Sequence, residues 1–320
     1  MPPQQQVNQP LPPGFQLDGY RIDRQLSLGG FSIVYLAYDG EGVPVVIKEY
    51  LPNALALRRA GNVTPNIAEE HVAAFRYGMK CFFEEGRSLA HLNHPNVVRV
   101  LNFFRANETV YLVMQYERGR TLQEHIQMHK GQLRENFVRN VFARLMNGLR
   151  EVHMRKLLHL DIKPSNIYLR NDGTPVLLDF GAARQTLAAD STVLKPMYTP
   201  GFAAPEQFRH RDQLGPWTDI YAIGASMYAC LAGATPQSSD LRLEGDTLIP
   251  AVKRWEKRYS RQLLETIDWC LQLDHGARPQ SVFLLQRKLS EKHHVAPGDG
   301  FFGTMLRRLH DFIARASVKN

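Results

Sequence analysis

Cysteine is scarce in this sequence, with Cys81, Cys230 and Cys270 scattered over 320 positions. Neither a disulfide framework nor a cysteine zinc site can be built from such spacing. That fits a reducing cytosol and leaves all three as small buried hydrophobes. Charge of one sign is not concentrated either. The net charge is +8, yet no block of five or more like charges occurs, so no nucleic-acid partner is expected. Long apolar runs are also missing: Tyr221 to Ala234 is too short to span a bilayer and reads as a buried core helix. The N-terminus has neither the charged nor the apolar region of a secretory signal, and the expected location is cytoplasmic.

What is present is an ordinary globular composition, 44% hydrophobic and 22% charged, enough for one large core or two lobes around a cleft. Residues 1–18 open with a Pro/Gln-rich stretch that has little to bury and are expected to be a disordered arm. From Tyr20 to Tyr116 the pattern is β-rich, with runs at Ile33–Tyr38, Val43–Glu49 and Val110–Tyr116 around one helix near Ala74–Leu92. From Leu122 onward apolar residues recur three and four apart, at Leu133–His153, Thr218–Leu231 and Leu263–Leu273. Short runs at Ile167–Leu169 and Val176–Leu178 flank Asn171, Asp172 and Gly173 as a hairpin would. The expected class is α+β, a small β-rich lobe followed by a larger helical one.

Five motifs occur in a fixed order: Leu26-Ser-Leu-Gly-Gly-Phe-Ser-Ile-Val34, Val45-Val-Ile-Lys48, Leu158-His-Leu-Asp-Ile-Lys-Pro-Ser-Asn166, Leu178-Asp-Phe-Gly181 and Ala204-Pro-Glu206. Together they resemble the signature set of the protein kinases, over about Gly19 to Leu289, and more narrowly the eukaryotic-like serine/threonine kinases of bacteria. The opening Lys48-Glu-Tyr-Leu-Pro52 resembles a proteobacterial subgroup. The resemblance implies the bilobal protein kinase fold, with a small lobe over residues 19–116, a hinge at 115–119 and a large lobe over 120–289. It also implies Mg-ATP-dependent phosphorylation of protein substrates, autophosphorylation and a cognate phosphatase. The alternative is a pseudokinase-like nucleotide-binding scaffold.

The resemblance also assigns roles. Lys48 would hold the α- and β-phosphates, oriented by Glu85, with Glu84 about a quarter-turn away as runner-up. Asp161 would accept or orient the proton of the incoming hydroxyl, and Lys163 would neutralise the γ-phosphate. Asn166 and Asp179 would ligate Mg²⁺. Leu26, Ser27, Gly29, Gly30, Phe31, Val34, Val46, Met114, Gln115, Tyr116 and Tyr168 would surround the nucleotide, and Phe180 would pack on the small-lobe helix. Thr199 matches the hydroxyl that meets the catalytic Asp and Lys in the Ser/Thr-directed branch. Glu206 would pair with Arg278, and Asp219 would brace the catalytic loop.

Several positions depart from the family pattern. Ser27 and Ser32 replace the outer glycines of the phosphate loop, where absence of a Cβ favours close backbone approach. The 36 residues between Lys48 and Glu85 exceed the usual connection, and Arg58 and Arg59 read as an exposed basic loop. Residues 290–320 read as a linker followed by a basic amphipathic helix, with Phe302, Met305, Leu306, Leu309, Phe312 and Ile313 on one face. Docking on the large lobe, a partner surface or a peripheral membrane surface would each suit 301–316. Leu160 stands where regulated relatives carry an arginine that receives a loop phosphate, so little dependence on phosphorylation of Ser191 and Thr192 is expected. Alanine at both positions should leave most activity in a transfer assay, and a loss of about a hundredfold would contradict this.

Overall fold

The computed structural model describes residues 7–130, 133–180 and 198–290. Its first part is a six-stranded antiparallel sheet with strand order β1-β2-β3-β4-β8-β7. The strands are β1 (Gln16–Leu17), β2 (Tyr20–Leu28), β3 (Ser32–Tyr38), β4 (Pro44–Tyr50), β7 (Val100–Ala106) and β8 (Thr109–Gln115). A two-stranded ribbon, β5 (Ala56–Leu57) with β6 (Asn66–Ile67), fills part of the long connection into helix α1 (Val72–Ala90). Phe75, Phe82 and Leu89 recur every seven residues on α1 and form a buried stripe against the sheet. Burial of such side chains contributes about 1.5–3 kcal/mol each. Gly86 lets the helix approach closely, since a Cβ there would come within 2.7 Å of Leu112 Cδ1.

Alternation along β4 sends successive side chains to opposite faces of the sheet. Val46, Lys48 and Tyr50 share one face, where Tyr50 packs on Phe75 and Phe82 with ring centroids 5.1 and 5.7 Å apart. Glu49 points to the other and is fully buried. Its carboxylate accepts from Arg58 Nη1 at 2.5 Å and Nη2 at 2.7 Å, from Tyr35 Oη at 2.7 Å and from Tyr111 Oη at 2.8 Å. Burial, reinforced by the Glu49 charge, pushes both phenols up and keeps them donors.

This cluster corrects two expectations. Arg58 is not an exposed loop cation: its side chain is 0% exposed in the ion pair with Glu49. Nor are the described residues of the N-terminal arm without a partner. Arg58 Nε donates to the Gln9 carbonyl at 2.8 Å, Leu11 N donates to Tyr35 Oη at 3.1 Å, and Asn8 Nδ2 donates to Asn53 Oδ1 at 2.7 Å and to the Ala56 carbonyl at 3.0 Å. Asn8 and Leu11 are buried as a result. A Pro/Gln-rich segment has little apolar surface of its own. It is ordered here by hydrogen bonds from both its side chains and its backbone, including Gln9 N to the Arg58 carbonyl at 3.0 Å.

The second part is helical. Helix α2 (Leu122–Met128) starts with a capping box, Thr121 Oγ1 accepting from Glu124 N while Glu124 accepts from Thr121 N. Helices α3 (Glu135–Met154), α4 (Pro205–Arg209) and α5 (Pro216–Ala232) follow, and α5 is buried along nearly its whole length. A three-stranded sheet of β9 (Gly119–Thr121), β10 (Ile167–Arg170) and β11 (Pro175–Leu177) lies beside α2 and α3. Gly119 is required at that junction, because a Cβ there would sit 1.9 Å from the Leu169 carbonyl oxygen. The expected hairpin at 167–178, the single small-lobe helix and the long helices are all present, displaced by a few residues. Ser191, Thr192 and the helix expected at 301–316 lie outside the described residues.

Replacing Arg58 with methionine leaves the Glu49 carboxylate buried without its cation. The expected loss is about 3–5 kcal/mol of unfolding free energy, measured by urea titration. The double change Arg58→Met with Glu49→Gln should recover part of it, and a single variant as stable as the parent would contradict the structural role.

Candidate active site

The segment Leu158–Asn166 crosses beneath the sheet as a loop between α3 and β10, and its shape is set from below. Asp219, in the first turn of α5 and fully buried, accepts from His159 N at 2.9 Å and Leu160 N at 2.7 Å. His153 Nε2 meets the same carboxylate at 2.8 Å. Burial alone would raise the Asp219 pKa, but the His153 contact, nearby imidazoles and the backbone donors hold it below the usual carboxylate range. Leu160 is held at φ +63°, a left-handed conformation that costs a residue bearing a Cβ about 1–2 kcal/mol. The two backbone bonds to Asp219 offset that cost.

His159 is also buried, its ring 4.4 Å from that of Phe180. Nε2–H donates to the Leu178 carbonyl at 2.8 Å, so Nδ1 accepts from Asp161 N at 3.3 Å. This pattern requires the neutral ring. Burial lowers its pKa, against the pull of Asp219 and Asp161.

Held this way, the loop gathers four of the expected groups. Lys163 Nζ lies 3.1 and 3.0 Å from the two Asp161 carboxylate oxygens and 2.7 Å from Thr199 Oγ1, which donates to Asp161 Oδ1 at 3.0 Å. Asn166 Nδ2 donates to the Asp161 carbonyl at 2.9 Å and to Oδ2 at 3.0 Å. The Asn166 amide oxygen is thereby left for another partner. Beside it Asp179, at φ +49°, pairs with Lys48 Nζ at 2.7 Å.

Above these groups opens a cavity of about 570 Å³. Its walls include Leu26, Ser27, Val34, Val46, Met114, Gln115, Tyr116 and Tyr168 of the expected nucleotide residues, together with Asn166 and Asp179. Glu117 and Gly119 of the expected hinge also line it, and sequence reasoning missed Val98, Thr121, Glu124, Ser165 and Leu178. Leu178 was findable as the apolar neighbour of Asp179, and Glu117 lay within the expected hinge. Arg170 holds Glu117 by two bonds of 2.7 and 2.6 Å.

Gly29, Gly30 and Phe31, like Lys48, are not among the residues lining the cavity. Their turn folds back on the end of β4, with Leu51 N donating to the Phe31 carbonyl at 3.0 Å, Asn53 N to the Gly30 carbonyl at 2.9 Å, and the Phe31 ring edge-on to Tyr50 at 5.2 Å. Lys48 pairs with the carboxylate of Asp179 at 2.7 Å. The Phe75, Phe82 and Leu89 stripe faces the sheet, and Phe82 lies under the ammonium at 5.5 Å. Glu85, on the same helix, lines a second cavity of about 360 Å³ with Phe180, Cys81 and Leu157. Glu84 pairs with Arg87 on the surface.

Farther from the cleft, Arg278 and Glu206 form a buried bidentate pair at 2.8 and 3.1 Å. Arg278 spends its remaining donors on the carbonyls of Trp217, Gln272 and Leu273. The pair anchors α4 and, through it, the segment carrying Thr199.

The comparisons with known proteins agree with this architecture. Residues 20–290 match the model of the protein kinase domain, and the chain belongs to that family. Serine/threonine-protein kinase B of Synechocystis sp. is 30% identical over 292 residues, covering 86% of this chain and 47% of that protein. CBL-interacting protein kinase 4 of Oryza sativa subsp. japonica is 30% identical over 258 residues, 78% of this chain and 53% of that one. The chain thus spans about half the length of the curated relatives it matches. Among solved structures, the PpkA-294 apo form superposes with a TM-score of 0.79 at 34% identity, covering 88% of this chain and 99% of that one. The M. tuberculosis PknI kinase domain, at 22% identity, has a TM-score of 0.65 over 88% of this chain and 98% of its own, a likeness of fold. No helix among the described residues is long and apolar enough to cross a membrane.

His159 and Asp219 both bind fewer protons folded than unfolded, so acid favours unfolding. The His159 contribution is complete above its ordinary value of 6.5 and is lost as pH falls below it, while that of Asp219 is lost below 3.8. The unfolding midpoint should therefore drop between about pH 7.5 and about pH 5.5, and less steeply in His159→Gln. Equal slopes in the two proteins would contradict a neutral buried His159.

Proposed function

We propose that this chain is a serine/threonine protein kinase that moves the γ-phosphoryl group of ATP onto Ser and Thr hydroxyls of protein substrates, with autophosphorylation among its reactions. The observation that carries the proposal is the contact set around Asp161: a carboxylate held by Lys163, Thr199 and Asn166 at 3.0–3.1 Å, with Lys163 Nζ 2.7 Å from Thr199 Oγ1, and nearby the pair of Asp179 with Lys48. A nucleotide-binding scaffold would need the cavity but not a carboxylate, an ammonium and a hydroxyl locked together at its mouth.

The adenine fits the apolar walls at Val34, Val46, Met114 and Leu178, and the hinge backbone supplies hydrogen bonds. Lys48 exchanges Asp179 for the α- and β-phosphates as ATP enters, a substitution of one anion for another that leaves its charge neutralised. Asp161 orients the acceptor hydroxyl and takes its proton. The new O–P bond forms as the bond from the γ-phosphorus to the bridging oxygen breaks, ADP leaves, and Lys163 balances the charge on the transferring group.

The Asn166 amide oxygen and the Asp179 carboxylate suit Mg²⁺, a hard ion that prefers oxygen. Among the described residues no group of three or more His, Cys, Asp or Glu could hold a metal. Asn166 and Asp179 would hold the ion, and nucleotide phosphate oxygens would share it. When bound, the ion neutralises phosphate charge.

Lys48-Glu-Tyr-Leu-Pro52 supports placement in a proteobacterial subgroup, and the three free, scattered cysteines suit the cytoplasm as the working compartment. A cognate phosphatase and a partner or membrane surface for 301–316 complete the proposal.

Radiolabelled ATP with a generic basic protein tests it. Asp161→Ala and Lys48→Met should each lower transfer by about a hundredfold or more. Transfer retained in both variants would overturn the assignment of roles.

A further inference from the structure

The peptide joining Leu160 to Asp161 has its N–H bonded to His159 Nδ1 and its carbonyl bonded to a residue that no motif singles out. Gln207 Nε2 donates to the Leu160 carbonyl at 3.0 Å. The same side chain is fixed at its other end, where Gln207 Oε1 accepts from Ala204 N at 2.9 Å and completes the start of α4. Gln207 is 2% exposed, so neither bond competes freely with water. Its own carbonyl accepts from Tyr198 Oη, and Tyr198 precedes the Thr199 that meets Asp161. The Tyr198 ring also packs on Phe208 at 4.2 Å, and Arg211 Nη2 donates to Tyr198 Oη at 3.0 Å.

We propose that Gln207 is a positioning residue for phosphoryl transfer: its amide links the start of α4, next to the segment carrying Thr199, to the peptide that aims Asp161. The proposal rests on the kinase reading of the site. The direction of the Asp161 side chain follows from the orientation of the peptide before it, and Leu160 sits in a left-handed conformation from which that peptide can turn over. Asp219 holds the N–H side of Leu160, and Gln207 holds the carbonyl side. A neutral amide bond thus joins the two segments at a position where leucine offers no charge for a loop phosphate.

The linkage needs an acceptor at one end of the side chain and a donor at the other. Gln207→Glu keeps the shape and the acceptor for Ala204 N, but when ionised it sets a carboxylate against the Leu160 carbonyl. When protonated, it donates again. The experiment measures kcat and KM for ATP in parent, Gln207→Glu and Gln207→Met between about pH 6 and about pH 8.5, with backbone hydrogen exchange over 158–163 in the same proteins. At the alkaline end Gln207→Glu should lose about tenfold to a hundredfold in kcat with KM for ATP little changed. Its kcat relative to the parent should recover as pH falls, its amides at 158–163 should exchange faster at high pH than at low pH, and Gln207→Met should be impaired at every pH. A ratio that stays flat with pH, or parental exchange in Gln207→Glu at high pH, would overturn the role. An inactive parent would count against the kinase reading, and the exchange comparison would still decide whether Gln207 holds the loop.

Discussion

One buried carboxylate governs the geometry of this molecule. Asp219 has no water to solvate it, so it takes its hydrogen bonds from the backbone of His159 and Leu160 and from His153. Those bonds fix a loop whose conformation an isolated peptide would avoid, since Leu160 is left-handed. Asp161, Lys163 and Asn166 inherit their positions from that constraint. The neutral ring of His159 extends it upward, reaching the Leu178 carbonyl and so the strand end that delivers Asp179. The two acidic residues at the mouth of the cavity are therefore held by one connected set of bonds rather than by separate local structures.

The small lobe applies the same principle to the strand that carries Lys48. Neighbouring residues on β4 face opposite ways, so an ammonium in the cleft and a carboxylate beneath the N-terminal segment share one backbone. Glu49 is neutralised by Arg58 and accepts hydrogen bonds from two phenols, and Arg58 and Tyr35 also hold Gln9 and Leu11. The long connection after β4 contributes a buried cation to the lobe that bears Lys48. A pair of this kind is costly to desolvate and costly to break, which makes it a determinant of one arrangement rather than a source of stability.

Much of the site could be read in the sequence because its groups lie close together along the chain. Asp161, Lys163 and Asn166 fall within six residues, and strand alternation placed Lys48 toward the cleft. What escaped depended on distance. The pairing of Arg58 with Glu49 needs a loop to fold back across the sheet, although a glutamate inside an apolar strand was itself a signal that a cation must come from somewhere. The pairing of Lys48 with Asp179 joins positions 131 residues apart. The packing of Phe31 on Tyr50 beneath the serine- and glycine-bearing turn likewise depends on the folded sheet. Gln207 carries no motif weight, since its role exists only where its amide meets the Leu160 carbonyl.

The central claim is that Lys48, Asp179, Asn166 and Asp161 act on one bound nucleotide, with Asp161 and Lys163 at its terminal phosphate. A crystal structure with Mg²⁺ and a non-hydrolysable ATP analogue tests it most directly. The account predicts a metal between the Asn166 amide oxygen and the Asp179 carboxylate, Lys48 transferred from Asp179 to the phosphates, and the γ-phosphate facing Asp161 and Lys163. A nucleotide bound outside the cavity, or a γ-phosphate turned away from Asp161, would contradict it.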